Sequence, residues 1–173
     1  MTTRLRPSPT FLVHSTPGEA AIPVRRAATP LARRFYQICM SMVADSVAEA
    51  ELTPLQYGVL PILNKENGEP GIDQVGLAAR LGVDRNNVGV ILTQLEKKGL
   101  IERRVDDADQ RARRLYLTAQ GEQLYRRLRS NNLAANARIL APLQPREREL
   151  LLDMLMRVIQ GNAAHARPAP GRA

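Results

Sequence analysis

The sequence predicts a mostly α-helical protein with a small β-hairpin, and three observations lead to this fold class. Apolar residues recur at helical spacing along most of residues 29–162. Helix-start signals precede these periodic stretches. Two short strand patterns, 100–105 and 113–118, flank a polar turn formed by residues 106–112. Aromatic residues make up only 3% of the 173 residues, so the core is predicted to be aliphatic.

The first predicted helix begins at Thr29 and Pro30, which are typical of an N-cap and a first-turn proline. It is predicted to extend to about Ala50, with an apolar side formed by Leu31, Phe35, Ile38 and Met42. Residues 1–28 are rich in proline and arginine, and they are predicted to form a flexible arm. The arginines of this arm could touch DNA, but a solvated tail is the simpler interpretation.

The second predicted helix starts with strong signals. Thr53 and Gln56 have the spacing of a capping box, in which each side chain accepts a hydrogen bond from the other residue's backbone N–H. Pro54 occupies the first helical position, where proline is favoured. Because proline lacks a backbone N–H, Pro61 is predicted to bend this helix.

The next two helix starts, at Asp73 and Asp84, use the same device. Each aspartate is an N-cap candidate that lies between two apolar residues spaced as a hydrophobic staple. Gly82 lies where the first of these helices must stop, and glycine readily adopts the left-handed conformation that follows a helix end. These signals predict two short helices joined by a tight turn.

The second helix of this pair has two distinct sides. Its apolar side consists of Val88, Ile91, Leu92 and Leu95. The opposite side carries Asn86, Val90, Thr93 and Lys97, with Asn87 and Gln94 beside them. Asn and Gln amides can pair with adenine edges, and Thr or Val methyls can touch thymine methyls. An ordinary amphipathic helix with a solvated face is the simpler interpretation of this stretch alone.

The predicted hairpin follows this helix directly. Its second strand alternates Leu115 and Leu117 with Tyr116, which is typical of a half-buried strand. Basic residues outnumber acidic ones between Lys97 and Arg114. Two helices, a tight turn and a hairpin in this order indicate a winged helix-turn-helix, which is a DNA-reading module. A charged hairpin in this position favours phosphate and minor-groove contacts over a role in solubility alone.

Three motifs make this interpretation more specific. They are Leu95-Glu96-Lys97-Lys98-Gly99-Leu100-Ile101, Asp109-Gln110-Arg111, and Leu117-Thr118-Ala119-Gln120-Gly121. In this order and spacing they resemble the motifs of the MarR family of bacterial transcriptional regulators. The sequence departs from that family at Gly89 and Val90, where many members carry a polar or basic residue. The resemblance implies a transcriptional regulator, more often a repressor, that binds DNA as a homodimer.

Two more helices are predicted after the hairpin. Thr118 caps the first, which reaches roughly Leu140, and Pro145 opens the second. Their apolar stripes, and that of the first helix of the chain, need a partner. These helices could close on their own winged domain. The resemblance instead implies a two-fold dimer, which would present two recognition helices to two half-sites.

Composition limits the class of protein. The net charge of +8 and a pI near 10.5 favour a polyanionic partner. The chain has no apolar run long enough to span a membrane. Its one cysteine excludes an internal disulfide and is typical of the reducing cytoplasm, where the protein is expected to associate with the nucleoid. Four parts are predicted: a flexible arm (1–28), a helical dimerisation region (29–51 and 119–162), a winged helix-turn-helix domain (52–118) and a disordered tail (163–173).

Catalytic chemistry is not predicted. His14 and His165 lie in the predicted tails, and no His, Cys or Glu cluster has metal-ligand spacing. The sequence has neither a nucleophile–base pattern nor a glycine-rich phosphate loop. We therefore expect no enzyme activity, no metal and no cofactor.

The predicted sites fall into three groups. The residues expected to contact DNA are Arg85, Asn86, Asn87, Val90, Thr93, Lys97, Arg103, Arg111 and Arg113, with Asp109 positioning Arg111. The resemblance implies an effector such as an aromatic acid or its coenzyme A thioester, and the candidate effector residues are Arg33, Arg34 and Tyr57. For the two arginines a solvated helix face is the alternative. Cys39 resembles the placement of the reactive cysteine in peroxide-sensing members, although a free cysteine is most often a small buried apolar residue.

The predicted function is a ligand-responsive repressor that binds a pseudo-palindromic operator as a homodimer. The effector is expected to bind between the dimer helices and the winged module, and to change the spacing of the two recognition helices. Three alternatives stay open: peroxide sensing through Cys39, a sequence-neutral architectural DNA binder, and a winged domain that binds protein.

Overall fold

The computed structural model describes residues 27–64, 71–106 and 111–165. Within them the chain forms α1 (Ala28–Val47), α2 (Pro54–Leu63), α3 (Gln74–Leu81), α4 (Arg85–Lys97), β1 (Ile101–Val105), β2 (Arg113–Leu117), α5 (Ala119–Ile139) and α6 (Pro145–Gly161). The predicted fold class, mostly α with a small β-wing, is confirmed. The chain divides into two units at Phe35, inside α1, and the core and wing described below belong to the second unit.

Both ends of the helical region differ in detail from the prediction. The first α-helix ends at Val47 rather than near Ala50, and the last turn, Ala48–Ala50, is a tighter 3₁₀-helix. Glu51 closes this turn with a left-handed φ of 51°. At the other end Ala163–His165 forms a 3₁₀ turn, although the tail was predicted to begin there. The predicted arm, apart from its last residues, and the rest of the tail lie outside the described residues.

The predicted capping box of α2 is confirmed. The backbone N–H of Thr53 donates to Gln56 Oε1 at 2.9 Å, and the backbone N–H of Gln56 donates to Thr53 Oγ1 at 3.2 Å. Pro54 is the first residue of α2, and Pro61 lies inside this helix. The bonds satisfy backbone donors that the start of a helix otherwise leaves without partners.

The two helices of the helix-turn-helix begin as predicted. Asp73 Oδ1 accepts the backbone N–H of Gly76 at 2.6 Å, and Asp84 Oδ1 accepts the backbone N–H groups two and three residues later at 3.0 Å. Gly82 ends α3 with a φ of 67°, a left-handed conformation that favours glycine. The turn between α3 and α4 is therefore set by local chemistry.

The wing is an antiparallel pair of strands. Its register pairs Ile101 with Leu117 at one end and Val105 with Arg113 at the other. The backbone N–H of Leu115 also donates to the carbonyl of Ile72 at 2.9 Å, so the segment before α3 adds an isolated bridge to the sheet. The wing is thereby joined directly to the start of the helix-turn-helix.

The core is aliphatic, as predicted. All four residues of the predicted apolar side of α4 are buried. They pack in one cluster with residues of the other elements, whose most buried side chains include Val47, Val59, Leu60, Leu77, Leu115 and Leu128. Burying each of these side chains contributes roughly 1.5–3 kcal/mol, so the cluster fixes α4 firmly on its inner side.

The last two helices are covered much less. On α5, Leu128 is buried and Leu124 is half-buried, whereas Leu133, the third residue of the predicted apolar line, is 60% exposed in the single chain. Tyr125 and Ala135 are buried instead. No residue of α6 is buried, and its exposed apolar side chains include Leu150, Leu152, Met154, Met156, Val158 and Ile159.

Candidate nucleic-acid interface

The outer face of α4 carries the residues predicted to read DNA. Six of them are on α4, and all six are exposed: Arg85, Asn86, Asn87, Val90, Thr93 and Lys97. Most of them line an open groove of ≈ 510 Å³, whose walls are formed by Gln74, Arg85, Asn86, Gly89, Val90, Thr93, Gln94 and Lys97. The helix thus buries one face and presents the other, as recognition helices do in the major groove.

Internal hydrogen bonds limit what several of these side chains can offer. The hydroxyl of Thr93 donates to the carbonyl of Gly89 at 3.0 Å. The methyl group of Thr93 is therefore the part of the side chain that is left to contact DNA. The side-chain amide of Asn87 donates to Asp84, so it is held by the helix cap. Val90 is 58% exposed, and its methyl groups suit contact with a thymine methyl.

Two glutamines join α4 to its neighbours, and neither was among the predicted site residues. Gln74 Nε2 donates to the carbonyl of Arg85 at 3.1 Å, across the turn between α3 and α4. Gln56 Nε2 donates to Gln94 Oε1 at 2.7 Å, and this bond links α2 to the exposed face of α4. The partner of Gln56, Gln94, could be placed from the sequence, since it lies one helical turn after Val90 and therefore beside the polar side of α4. Only tertiary packing brings Gln74 to the groove.

Two wing arginines have acidic partners. Arg103 Nε lies 3.0 Å from Glu96 Oε1, and the two side chains are 35% and 32% exposed, so the pair joins β1 to α4. Arg104 pairs with Glu102 and lies over the ring of Tyr116, 4.8 Å from its centroid. The predicted phosphate contact of Arg103 stays a prediction, and in this structure its guanidinium pairs with Glu96 of α4.

The tip end of the two wing strands is held by a contact that the sequence analysis did not predict. The guanidinium of Arg114 pairs with the nearly buried carboxylate of Asp106, and its Nη1 donates to the carbonyl of Gly71 at 3.2 Å. The hydrogen bond that Arg114 donates to Asp106, together with the negative charge of that carboxylate, raises the pKa of the Arg114 guanidinium. The backbone N–H of Asp106 also donates to the carbonyl of Ala112 at 3.1 Å. These bonds connect both strands of the wing to the segment before α3.

The arginines nearest the wing tip are exposed. Arg111 lies in the turn before β2, and Arg113 is the first residue of that strand, where its Nη1 donates to the carbonyl of Ala112 at 3.4 Å. Asp109 lies outside the described residues. Its predicted role in positioning Arg111 therefore stays a prediction.

The predicted effector residues occur in both units of the chain. Arg33 and Arg34 are exposed on α1, in the first unit. Tyr57 is buried in the core of the second unit, with its ring centroid 6.5 Å from that of Tyr125. Burial raises the pKa of Tyr57 to about 12, so its hydroxyl stays protonated at neutral pH. A joint effector site for the three residues stays a prediction.

Cys39 lies half-buried on α1. Burial raises the pKa of its thiol, which lowers the fraction present as thiolate. Because the thiolate is the form that reacts with oxidants, this environment does not favour the redox alternative.

A second cavity, of ≈ 750 Å³, lies beside the end of α4. Its walls combine both signs of charge, and they are formed by Glu49, Ala50, Glu51, Lys98, Leu100, Gln120, Gln123, Leu124 and Arg127. Lys98 Nζ donates to the carbonyl of Glu51 at 3.1 Å, and Arg127 Nε lies 4.0 Å from Glu49 Oε1. The sequence analysis did not predict this cavity, because its walls come from segments far apart in the chain.

Two further searches concern the described part of the chain only. Among its residues there is no group of three or more His, Cys, Asp or Glu side chains that could hold a metal ion. Within the same residues no helix is long and apolar enough to cross a membrane.

Comparison with known proteins identifies relatives with one common role. The sequence model of the MarR family matches residues 50–112. A Thauera aromatica protein, named as a transcriptional regulatory protein for the hcr operon, is 32% identical over 149 residues, which are 85% of this chain and 83% of the relative.

Solved structures match over most of the chain. The PcaV transcriptional regulator of Streptomyces coelicolor, solved with its natural ligand, is 33% identical with a TM-score of 0.70, and the match covers 82% of this chain and 98% of PcaV. The MarR family protein Rv2887 of Mycobacterium tuberculosis, solved with salicylic acid, is 25% identical with a TM-score of 0.62, and the match covers 76% and 96% of the two chains.

Proposed function

Because the chain belongs to the MarR family of transcriptional regulators, we propose that it is a repressor that binds a pseudo-palindromic DNA operator as a homodimer and is released by a small aromatic acid. Its relatives are regulators and not enzymes, and the chain is likewise a regulator of transcription. The proposal places it in the cytoplasm, at the nucleoid.

One observation carries the proposal for DNA. The exposed face of α4 combines a cation at each end with amides and methyl groups between them, and Arg85 and Lys97 are the end cations. Cations hold phosphates, whereas amides and methyl groups read base edges. Arg111 and Arg113 lie at the adjoining wing, where they are proposed to contact the backbone or the minor groove.

The DNA proposal is tested by selecting bound sequences from random duplex DNA. We expect an inverted repeat whose half-site centres lie about 10 base pairs apart, because a two-fold dimer places its recognition helices one helical turn apart along the groove. Binding without a common sequence would indicate an architectural DNA binder. A protein that binds no DNA even at low salt would indicate a winged domain that binds protein.

The homodimer is supported by the uncovered apolar surface of the terminal helices. No residue of α6 is buried, and in the same unit Tyr36 and Ile38 of α1 are 54% and 44% exposed. Monomeric soluble proteins seldom expose large contiguous apolar patches. We therefore propose that α1 and α6, with the end of α5, form the dimer interface.

The dimer is tested by placing a charge on α6. Val158→Lys should shift the protein toward monomer in analytical ultracentrifugation and weaken operator binding, because a buried unpaired lysine opposes association. Gln123→Lys places the same side chain at an exposed polar position of α5 and serves as the control. An unchanged dimer for Val158→Lys would exclude α6 from the interface.

The effector class is proposed from the relatives. PcaV was solved with its natural ligand and Rv2887 with salicylic acid, which is an aromatic carboxylic acid. In this chain Lys98 and Arg127 are cations in the wall of the ≈ 750 Å³ cavity, and Arg33 and Arg34 are the cations proposed from the sequence. Either pair could hold a carboxylate by charge-assisted hydrogen bonds.

Thermal-shift screening tests the effector class. At least one compound among salicylic acid, related aromatic acids and their coenzyme A thioesters should raise Tm and weaken operator binding. The operator must then lower the affinity for that compound by the same factor. Loss of the shift in Arg127→Ala, but not in the double variant Arg33→Ala with Arg34→Ala, would place the site in the cavity. If no such compound raises Tm, the aromatic-acid class is wrong.

A further inference from the structure

A chain of hydrogen bonds runs from the start of α2 to the outer face of α4. The backbone N–H of Thr53 donates to Gln56 Oε1 at 2.9 Å, and Gln56 Nε2 donates to Gln94 Oε1 at 2.7 Å. Gln56 is only 5% exposed, whereas Gln94 is exposed in the wall of the α4 groove. A buried residue therefore holds the amide of an exposed one.

The first bond of this chain fixes the direction of both amides. A backbone N–H can only donate, so the atom of Gln56 that faces Thr53 must be the amide oxygen. The amide nitrogen of Gln56 then faces Gln94, and a nitrogen that donates requires an oxygen opposite it. The hydrogen-bond network thereby assigns the oxygen and the nitrogen of both side-chain amides.

We propose that Gln94 determines operator specificity as a hydrogen-bond donor, with its amide oriented by Gln56. This inference rests on the proposed function, because it names a base contact of the same DNA interface. The oxygen of Gln94 is held toward α2, so the group that Gln94 offers to the major groove is its Nε2–H₂. Gln56 acts through Gln94 and is a positioning residue.

The orientation of Gln94 selects among the bases. Guanine presents two acceptors in the major groove and thymine presents one, whereas cytosine presents only the N4 donor. Gln94 therefore favours guanine or thymine over cytosine. Adenine presents N7 as an acceptor beside the N6 donor, so it can accept one bond from Gln94. The bidentate glutamine–adenine pair also needs the amide oxygen, and the bond to Gln56 occupies one of the two lone pairs of that oxygen and turns it toward α2, which disfavours this pair.

The bond between the glutamines should survive DNA binding. If Gln94 turned its oxygen to the groove, the buried Nε2 of Gln56 would lose its partner. A buried donor without a partner carries its full desolvation penalty, while an exposed amide gains little by the exchange. The donor orientation is consequently built into the free protein and needs no induced change.

Three variants test the proposal by selection from random duplex DNA. Gln94→Ala removes the donor from an exposed position. Gln56→Met removes the orienting bond, and it also removes half of the capping box. Thr53→Ala is the matched control, because it removes the other half of the capping box and leaves Gln56 with its bond to Gln94. Thermal melts confirm that each variant is folded.

The selected sequences distinguish the outcomes. For wild type we expect one position in each half-site to favour guanine or thymine over cytosine. Gln94→Ala should weaken the selected operator by about 5-fold or more and lose the preference at that position alone, a size taken from the lower end of specific base contacts. Gln56→Met should raise the share of adenine at that position or lose the preference, while Thr53→Ala should keep the wild-type sequence.

Several results would overturn the proposal. Uniform weakening of all sequences by Gln94→Ala would mean that Gln94 contacts a phosphate and reads no base. Identical preferences for Gln56→Met and Thr53→Ala would mean that Gln56 does not orient Gln94. If the wild-type protein selects no common DNA sequence, the operator proposal fails and this inference fails with it. If the wild-type protein selects a DNA sequence and Gln94→Ala selects the same one, this inference alone is wrong.

Discussion

Gly121, in the first turn of α5, is the position where a single methyl group should be most damaging. A Cβ at this residue would lie 2.0 Å from the carbonyl oxygen of Leu100 and 3.0 Å from its carbonyl carbon. That oxygen accepts the backbone N–H of Thr118 at 3.1 Å, and Thr118 Oγ1 in turn accepts the N–H of Gly121 at 3.0 Å. The obstacle is therefore backbone, and it cannot rotate away as a side chain could.

The size of the effect follows from this geometry. Carbon–oxygen contacts in proteins lie at about 3.3 Å or more, so Gly121→Ala requires α5 and the start of β1 to separate by roughly 1 Å. Overpacking of this kind costs about 1–3 kcal/mol, and weakening the Thr118 hydrogen bonds adds about 1 kcal/mol. We expect Gly121→Ala to lower the free energy of unfolding by about 3 kcal/mol.

Guanidinium unfolding measures this loss at one fixed protomer concentration, because association changes the apparent stability. Gly161→Ala is the matched control, since a Cβ there meets no atom within 4 Å. It ends α6, where alanine should be neutral or stabilising by up to about 1 kcal/mol. If Gly121→Ala unfolds within about 0.5 kcal/mol of wild type, α5 does not pack on Leu100 as described and the reasoning is wrong.

Three other predictions concern the cap, the charge and the cysteine. Asp84→Ala should lower stability by about 1 kcal/mol in the same unfolding assay, because it removes the N-cap of α4. With about 6–10 phosphate contacts, operator affinity should fall roughly 10³- to 10⁵-fold between 50 and 200 mM salt in fluorescence anisotropy, and a nearly flat response would contradict DNA binding. Peroxide should leave operator affinity unchanged, since burial raises the pKa of Cys39. If peroxide instead releases the protein from DNA and Cys39→Ser abolishes this release, the redox alternative is restored.

The features predicted correctly from the sequence are those that local chemistry decides. A capping aspartate or threonine bonds backbone N–H groups two or three residues away, so Thr53, Asp73 and Asp84 could be assigned without knowledge of the fold. The two sides of α4 could be assigned for the same reason, because helical periodicity alone separates them.

Features that depend on distant segments could not be predicted. Arg114 and Gly71, like Gln56 and Gln94, are brought together by tertiary packing, and nothing in their own neighbourhoods marks the pair. Leu133 shows the same limit, since periodicity placed it on an apolar line but could not say whether another element covers it. If the proposed dimer forms, its second protomer is the missing neighbour.

The recognition helix is held at several points along its length, and this bears on how a ligand could act. Gln74 donates a hydrogen bond to its first residue, Arg85, and Gln56 donates one to Gln94 on its exposed face. The Glu96–Arg103 pair joins its end to the wing. Its inner face is buried in the aliphatic core. A ligand that tilted α4 within one protomer would have to break these contacts together, at a cost greater than the 1–3 kcal/mol of typical allosteric coupling. The contacts therefore support the proposal that an effector changes the distance between two recognition helices and leaves each one fixed in its own winged domain.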